Sequence, residues 1–317
     1  MKKITVSQSG AGDFLTLNAA IAAFDTEEPL DIFVCNGLYR EKLFCNRAFT
    51  RIVGESRDGT SIEWDDGALH THADGRKNGT FRSYTVWLGG GRVEVETITI
   101  VNSCGHGHTA GQGVAAAVDA GEVFMQGVTL RGCQDTLYTG PLPPHERLPD
   151  GFLGPRQFGE RLPSRQHYVD CQIEGTIDFI FGGADALFED CRILCRDCGR
   201  EAVGYIAAPS TPKGGLGYLF LHCTVEGAST DSFYLARPWR EYGRAIFAEC
   251  RLDAVIKRAG WDNWGNPANE ITCYFAEYKS SGAGAWENRA FGKALSTHEF
   301  NLLVSQFRNS VPWGRQQ

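Results

Sequence analysis

The amino-acid sequence predicts an all-β protein built as a stack of coils, a parallel β-helix. The main observation is a short strand pattern that recurs along the chain, in which an aromatic residue precedes a cysteine by three positions. The spacing between copies is unequal, as expected when one strand keeps its place in every coil while the connecting turns vary in length. The copies are YVDCQI, FEDCRI, FLHCTV and FAECRL, with cysteines at Cys171, Cys191, Cys223 and Cys250.

Composition favours the same fold class. The 317 residues include 38 glycines and only two methionines, a balance that favours turns and strands over helices. With 42% hydrophobic and 22% charged residues the composition is that of a soluble globular protein, and we expect one domain over residues 1–317. A formal net charge of −7 gives no electrostatic case for nucleic acid or an anionic membrane as a partner.

Two earlier copies extend the repeat towards the N-terminus. In FMQGVTL the cysteine position is taken by Gly127, and a weaker copy, VETITI, lies near Thr97. Because successive strand residues point to opposite faces, the recurring cysteines should form a column along one inner wall. We therefore interpret them as core residues rather than as metal ligands.

The two ends of the chain predict helices, and its middle predicts a long loop. Residues 4–35 indicate a strand, a helix around Leu15 to Phe24 and a buried strand, which together would cap the stack. A helical pattern over 298–307 should pack against the outside. Residues 139–165 are rich in Pro and Gly and lack apolar periodicity, which indicates an inserted loop. That loop is either a lid or wall over the site or a tolerated surface insertion.

The sequence contains only weak evidence for metal ligands. Cys195 and Cys198 form a CxxC, but no second pair follows at the spacing of a zinc site. Two histidine pairs lie in loop-like sequence without an HExxH motif, namely His70 with His72 and His106 with His108. We expect neither a metal ion nor a cofactor.

Two aspartates are the candidate catalytic pair. Asp135 in QDTLY and Asp178 in GTIDFIFG each follow a copy of the repeated strand, eight residues after Gly127 and seven after Cys171. Equivalent places on successive coils are about 4.8 Å apart. Two carboxyl groups that close cannot both ionise freely, so one should stay protonated near neutral pH unless a cation intervenes. The apolar neighbours of Asp178 argue against an ordinary solvated turn aspartate.

The groups that such a pair needs are present in other motifs. Arg237 in LARPW can hold one carboxylate ionised through two hydrogen bonds. Gln134, and Gln112 in the preceding coil, can donate amide hydrogen bonds to a developing oxyanion. The sequence contains no G-x-S-x-G elbow, so the predicted chemistry rests on carboxylates.

With these residues in place the chain resembles the pectin methylesterase family of carbohydrate esterases. The resemblance runs through VSQSGAGDFLTLNAAI, GLYREKL, GQGVAAAV, QDTLY, GTIDFIFG, LARPW and YFAEYKSSGAGA. It implies a right-handed parallel β-helix of the pectin lyase-like type. It also implies hydrolysis of galacturonate methyl esters in pectin or methylated oligogalacturonides, with release of methanol.

The resemblance further implies a role for each site residue. Asp178 matches the nucleophile and Asp135 the general acid and base, while Gln112 and Gln134 match the oxyanion donors and Arg237 the partner of the nucleophile. The aromatic residues expected to line the sugar groove are Trp239, Phe181, Tyr138 and Trp261.

Three other functions fit parts of the sequence. An esterase acting on another acyl ester or thioester would use the same residues. A calcium-dependent polysaccharide lyase could share the β-helix, but would need clustered acids and a basic proton abstractor. A carbohydrate-binding coil stack without catalysis would leave the acid pair unexplained.

The opening MKKITVSQSGAGDF lacks the apolar core of about 7 to 15 residues that a signal peptide requires. Eleven cysteines, an odd number, argue against a fully paired set of disulfides and favour a reducing compartment. We therefore expect a cytoplasmic monomer, with a secreted protein whose leader has been removed as the alternative.

Overall fold

The computed structural model describes residues 1–197, 199, 203–286 and 289–313, and these residues are dominated by short strands. The strands up to the long loop and just beyond it are β1 (Lys2–Val6), β2 (Leu30–Val34), β3 (Gly37–Tyr39), β4 (Leu43–Gly54), β5 (Thr60–Trp64), β6 (Val86–Glu96), β7 (Thr99–Asn102), β8 (Ala116–Gln126), β9 (Thr129–Arg131), β10 (Leu137–Thr139) and β11 (Arg165–Val169). The later strands are β12 (Gln172–Gly175), β13 (Ile180–Gly182), β14 (Asp185–Glu189), β15 (Arg192–Cys195), β16 (Gly204–Pro209), β17 (Tyr218–Leu221), β18 (Thr224–Gly227), β19 (Phe233–Ala236), β20 (Arg244–Ala248), β21 (Arg251–Leu252), β22 (Tyr274–Tyr278) and β23 (Lys293–Ala294). The helices are α1 (Leu17–Ala22), α2 (Gly107–Ala110), α3 (Asn269–Thr272) and α4 (Thr297–Ser310), with a 3₁₀ turn at Thr80–Arg82.

The strands form three parallel faces around one interior. The first face runs β1-β2-β4-β6-β8-β11-β14-β17-β20-β22-β23, and the second runs β21-β18-β15-β12-β9-β7-β5-β3. The third face continues from the first halves of the long strands β4, β6 and β8 through β10, β13, β16 and β19. Each coil therefore buries its inner face only against its neighbours, and the predicted parallel β-helix is confirmed.

Buried columns of like residues fill the interior. The four cysteines of the repeat are all buried, and each thiol donates to a carbonyl oxygen on the preceding coil, at 3.3 to 3.6 Å. Beside them Tyr168, Phe188, Phe220 and Phe247 stack nearly face to face, with centroids 4.3 to 4.7 Å apart. The interpretation of the cysteines as core residues is confirmed.

The alignment of the earlier repeat was wrong by one residue. Tyr168 pairs with Met125 rather than with Phe124, so Gly127 opposes Asp170 and the cysteine position belongs to Val128. Phe124 instead faces outward against His167. The backbone supports this corrected alignment. Gly127 and Asp170, which now occupy equivalent positions in the turn, both have a left-handed conformation, with φ of 63° and 49°.

Both predicted helices are present, α1 near the N-terminal end of the stack and α4 against its outside. Helix α1 is shorter than the predicted span, and its first backbone N–H groups, at Leu17 and Asn18, donate to the Glu41 carboxylate at 2.9 and 2.8 Å. Helix α4 begins with a capping box between Ser296 and Glu299, and its buried face packs on the outer side of the first sheet. No helix among the described residues is long and apolar enough to cross a bilayer.

Candidate active site

Asp135 and Asp178 occupy the same position on successive coils. Each lies two residues before a strand of the third face, and the two strands pair with Leu137 opposite Ile180. The Asp135 N–H donates to the Ile177 carbonyl at 3.0 Å, which continues this ladder into the turn. Both aspartates have a left-handed backbone, with φ of 64° and 50°. With the corrected alignment both lie seven residues after the cysteine position, so the repeat itself places them side by side.

Arg237 holds one member of this pair. Its Nε donates to Asp178 Oδ1 at 2.7 Å and its Nη2 donates to Asp178 Oδ2 at 2.6 Å, a bidentate pair. The guanidinium is itself stacked between two aromatic rings, 3.7 Å from the centroid of Tyr205 and 3.8 Å from that of Trp264. The arginine, and therefore the carboxylate, has a fixed orientation.

The surroundings give the two carboxyl groups different protonation states. Burial raises the pKa of Asp135 well above its ordinary value, the negative charge of Asp178 raises it further, and Arg237 offsets only part of this. Burial also raises the pKa of Asp178, but the hydrogen bonds and charge of Arg237 oppose the rise. We therefore assign the proton to Asp135 and the negative charge to Asp178.

The two glutamines line the cleft that contains the acids. Gln112 and Gln134 are both half-buried, and their side chains line the same cleft as the two aspartates. The Gln134 backbone carbonyl accepts from Gly113 N–H at 3.0 Å, which joins the QDTLY turn to the preceding coil. This bond holds the coil that carries Gln112 against the coil that carries Asp135.

The pair opens into a cleft of about 340 Å³, large enough for a sugar unit. Phe181 and Trp239 line its floor and wall, in contact with each other at 5.6 Å between centroids. The cleft also contains groups that the motifs did not indicate, which come from the 3₁₀ turn, the long loop, strand β16 and the turns near residues 240 and 264. These are Thr80, Phe81, Arg147, Leu148, Gly151, Phe152, Ala208, Arg240 and Trp264.

Two predicted groove residues are wrong. Trp261 is 2% exposed and stacks on Phe275 inside the coil, 5.1 Å between centroids, so its ring has no surface to offer a sugar. Tyr138 is fully buried beneath the cleft, where its ring supports Phe81 and Phe181 rather than contacting the open volume. Trp264, three residues beyond Trp261, takes the place on the cleft wall.

None of the weak metal candidates that the structure describes lines this cleft. In the described ranges no group of three or more His, Cys, Asp or Glu side chains is close enough together to hold a metal ion. Cys195 is buried in the core, and Cys198 lies outside the described residues. The four histidines of the two pairs lie in turns or at the short helix α2, exposed or half-buried.

The fold and the carboxylate pair together define a carbohydrate-type esterase on a parallel β-helix. Comparison with known proteins agrees. The family model described as pectinesterase matches residues 3–142 and 161–296. Pectinesterase 31 of Arabidopsis thaliana is 32% identical over 90% of this chain and 84% of its own length, and the probable pectinesterase 8 of the same plant is 30% identical over 95% and 73%.

Solved structures give the same result. Pectin methylesterase from carrot is similar with a TM-score of 0.78 and 26% identity, covering 99% of this chain and 98% of that one. A pectin methylesterase mutant in complex with a hexasaccharide has a TM-score of 0.79 and 27% identity, with coverage of 99% and 98%. The enzyme PemA from Erwinia chrysanthemi has a TM-score of 0.75 and 27% identity, with 94% of each chain covered. This chain belongs to the pectinesterase family.

Proposed function

We propose that this protein hydrolyses galacturonate methyl esters in pectin or methylated oligogalacturonides and releases methanol. The observation that carries the proposal is the pair of equivalent aspartates, of which Asp178 is bound by Arg237. Asp135 is buried and forms no ion pair with any residue that the structure describes. Such a pair supplies a nucleophile and an acid at one place. Membership of the pectinesterase family indicates that the ester is a methyl ester of pectin.

In the acylation step a carboxylate oxygen of Asp178 attacks the ester carbonyl carbon. The negative charge moves to the carbonyl oxygen, where the amide groups of Gln112 and Gln134 donate hydrogen bonds. When the tetrahedral intermediate collapses, the carbon–methoxy bond breaks and the proton of Asp135 passes to the leaving oxygen. Methanol leaves, and the galacturonyl group is joined to Asp178 as an acid anhydride.

Hydrolysis of this intermediate uses the same groups in reverse. Asp135, now ionised, accepts a proton from water, and the hydroxide oxygen attacks the galacturonyl carbon. The bond to Asp178 then breaks, and its carboxylate returns to the bidentate hydrogen bonds of Arg237. Asp135 is again protonated, so the cycle closes without a metal or cofactor in any step.

The aromatic wall gives the cleft its affinity for sugar rings. Trp239 and Trp264, both half-buried, offer flat apolar surfaces to the cleft, and the Trp264 ring lies 3.8 Å from the Arg237 guanidinium. Phe181, which is 3% exposed, supports the Trp239 ring from below at 5.6 Å between centroids. Sugar rings carry apolar C–H faces that pack on such surfaces, while their hydroxyl groups stay in solvent or bind polar groups. The ester of a bound unit would thus lie over Asp178.

Methanol release from pectin, measured with and without a chelator, tests this function. We expect methanol in both conditions and no unsaturated sugar product. A lyase would need calcium, would lose activity on chelation and would release unsaturated oligomers instead of methanol. Methanol release from a different acyl methyl ester but not from pectin would favour the other esterase hypothesis.

We also propose a reducing compartment for this protein. Support comes from nine of the described cysteines, which are free thiols and five of which are buried. They are Cys35, Cys45, Cys104, Cys133, Cys171, Cys191, Cys223, Cys250 and Cys273. In that compartment the substrate would be short methylated oligogalacturonides rather than polymer. A higher kcat/KM on polymeric pectin than on short oligomers would count against this proposal.

A further inference from the structure

The row of positions that contains Asp135 and Asp178 continues with two tyrosines. Each aspartate lies two residues before a paired position of β10 and β13, and β16 and β19 continue that row of paired positions. The residues two positions before the row on β16 and β19 are Tyr205 and Tyr234, and both are half-buried. The repeat therefore places an aromatic pair on the two coils that follow the reacting pair.

Tyr205 covers one face of the Arg237 guanidinium, whose central carbon lies 3.7 Å from the ring centroid, and Trp264 covers it at 3.8 Å. All five N–H donors of a guanidinium lie in its plane, so rings over its faces leave the donors available but keep the plane from tilting. The Tyr205 ring is itself stacked on Tyr234, with an angle of 12° between planes and 5.4 Å between centroids. The orientation of Arg237 therefore depends on a stack that two strands support.

A second carboxylate, that of Asp262, competes for Arg237. Besides burial, the negative charge of Asp262 raises the pKa of Asp178, so Asp262 lies within electrostatic reach of the nucleophile. Asp262 Oδ1 accepts from the Trp264 N–H at 2.7 Å, whereas Arg237 forms its ion pair with Asp178 and not with Asp262. A guanidinium that was able to tilt would have a choice of two carboxylates.

We propose that Tyr205 is a positioning residue that holds Arg237 on Asp178. Without the Tyr205 ring the guanidinium can tilt towards Asp262, which weakens its hydrogen bonds to the nucleophile. The inference rests on the proposed function, in which Asp178 must be ionised to attack the ester. Tyr205 does not line the cleft, so it acts through Arg237 rather than on the substrate.

This role predicts a change in the pH profile. Among the described residues, the ionisable groups around the Asp178 carboxyl are Asp135, Tyr205, Arg237 and Asp262. Of these groups only Arg237 favours the ionised carboxylate. A tilt of Arg237 therefore raises the pKa of Asp178 and moves the acid limb of the profile to higher pH.

The test measures methanol release from pectin across pH for the native protein, Tyr205→Phe and Tyr205→Leu. Tyr205→Phe keeps the ring and should retain the native profile. Tyr205→Leu should lower kcat about tenfold, the effect of one well-ordered cation–π contact, and should move the acid limb to higher pH. KM should stay within about twofold of native, since a positioning residue makes no contact with bound substrate.

Asp262→Asn tests whether Asp262 is the competing carboxylate. Asparagine keeps an oxygen that can accept from the Trp264 N–H but has no charge to attract Arg237. Added to Tyr205→Leu, it should restore kcat, and this gain should exceed the effect of Asp262→Asn alone. An equal effect in both backgrounds would show that Asp262 does not compete for the arginine and would overturn the proposal.

Tyr274→Leu is the matched control. Tyr274 is half-buried, and its ring centroid lies 4.2 Å from the Arg244 guanidinium, in a contact of the same kind between residues that do not line the cleft. Its loss should leave both kcat and the acid limb as in the native protein.

The acid limb separates positioning from poor folding, because a variant that folds poorly loses activity at every pH without moving the limb. If Tyr205→Leu does not fold, Tyr205→Met, which is similar in bulk and lacks a ring, takes its place. A native kcat and acid limb in the ring-free variant, or a Tyr205→Phe as impaired as that variant, overturns the role of the ring. Absence of methanol with the native protein overturns the proposed function instead.

Discussion

Asp135 and Asp178 are equivalent residues of successive coils, yet only Asp178 is bound by Arg237, through two hydrogen bonds of 2.7 and 2.6 Å. A repeat would by itself give the two carboxyl groups the same environment. The arginine from a later coil breaks that equivalence, and it does so without contacting Asp135 by any hydrogen bond of its own. The asymmetry needed for an acid and a nucleophile thus comes from one side chain.

Replacing the nucleophile should abolish turnover. Asp178→Asn keeps the shape and tolerates the left-handed backbone, but removes the attacking charge, so we expect kcat to fall at least about 10⁴-fold. The measurement is methanol release from pectin. The matched control is Asp190→Asn, an exposed aspartate with a similar φ of 54° on the next coil, which should leave kcat unchanged. Turnover of Asp178→Asn within tenfold of native would contradict the role.

The pH dependence of kcat/KM should be bell-shaped. Asp178 must be ionised, so activity falls at low pH, and Asp135 must be protonated, so activity falls as pH rises through its raised pKa. Arg237→Lys loses the bidentate contact that opposes the rise in the pKa of Asp178, so its acid limb should move to higher pH. An acid limb that stays in place would show that Arg237 does not set the ionisation of Asp178.

Neutralising the general acid should stabilise the fold. Asp135 is protonated when folded and ionised when unfolded at neutral pH, so the native state binds one more proton. The free energy of unfolding therefore falls by about 1.4 kcal/mol per pH unit between the unfolded and folded pKa values of Asp135. Asp135→Asn cannot ionise, so it avoids this decrease in the free energy of unfolding. Its melting temperature should exceed that of the native protein at neutral pH, and the difference in melting temperature should become smaller in acid. The variant should be inactive. Equal melting temperatures at every pH would indicate an ordinary pKa.

Removing one oxyanion donor should weaken catalysis without ending it. Gln134→Ala leaves the acids and Arg237 in place, and a single donor of this kind is worth about 2.7 to 4 kcal/mol in the barrier, or about 10² to 10³ in kcat. KM should change little, since the donor acts on charge that develops only in the transition state. A kcat equal to native would remove Gln134 from the oxyanion site.

The ion pair between Arg156 of the long loop and Asp119 of β8 can be tested through KM. Arg156→Ala leaves Asp119 buried without its partner, so we expect the free energy of unfolding to decrease by about 2 kcal/mol, less than for a fully buried pair because Arg156 is partly exposed. KM should rise about tenfold as Phe152 leaves the cleft wall, in line with the loss of one well-packed aromatic contact. The double variant with Asp119→Ala should recover stability but not KM. An unaltered KM would show that the long loop is a tolerated surface insertion rather than a wall of the site.

Sequence patterns predicted that Asp135, Asp178 and Arg237 lie together, as the structure shows, because each lies in a continuous motif. QDTLY, GTIDFIFG and LARPW each carry their residue in a turn next to a short strand, and the repeat indicated that the turns stack. The one-residue error at Gly127 arose because the aromatic residue used for alignment, Phe124, faces outward in its coil. Gly127 and Asp170 are equivalent residues with a left-handed backbone, a conformation that favours glycine and aspartate. Aligning the glycine with this aspartate would have given the correct register.

The cleft wall was harder to predict because it depends on contacts between distant segments. Trp261 and Trp264 are three residues apart and equally plausible in sequence, and only the turn geometry, with φ of 58° at Trp264, decides which faces the site. Arg147 lines the cleft but belongs to a loop without periodic pattern, which contacts the coil stack through distant residues such as Arg156 and Asp119. Neither the position of Trp264 nor that of Arg147 can be recognised from the neighbouring residues in the sequence.

Infrared difference spectroscopy between the native protein and Asp135→Asn at neutral pH tests the central assignment most directly. If Asp135 carries the proton, the difference spectrum should show loss of a protonated carboxyl C=O band and no loss of carboxylate bands. Loss of an ionised carboxylate band in that comparison would place the proton elsewhere and contradict the division of roles between the two aspartates.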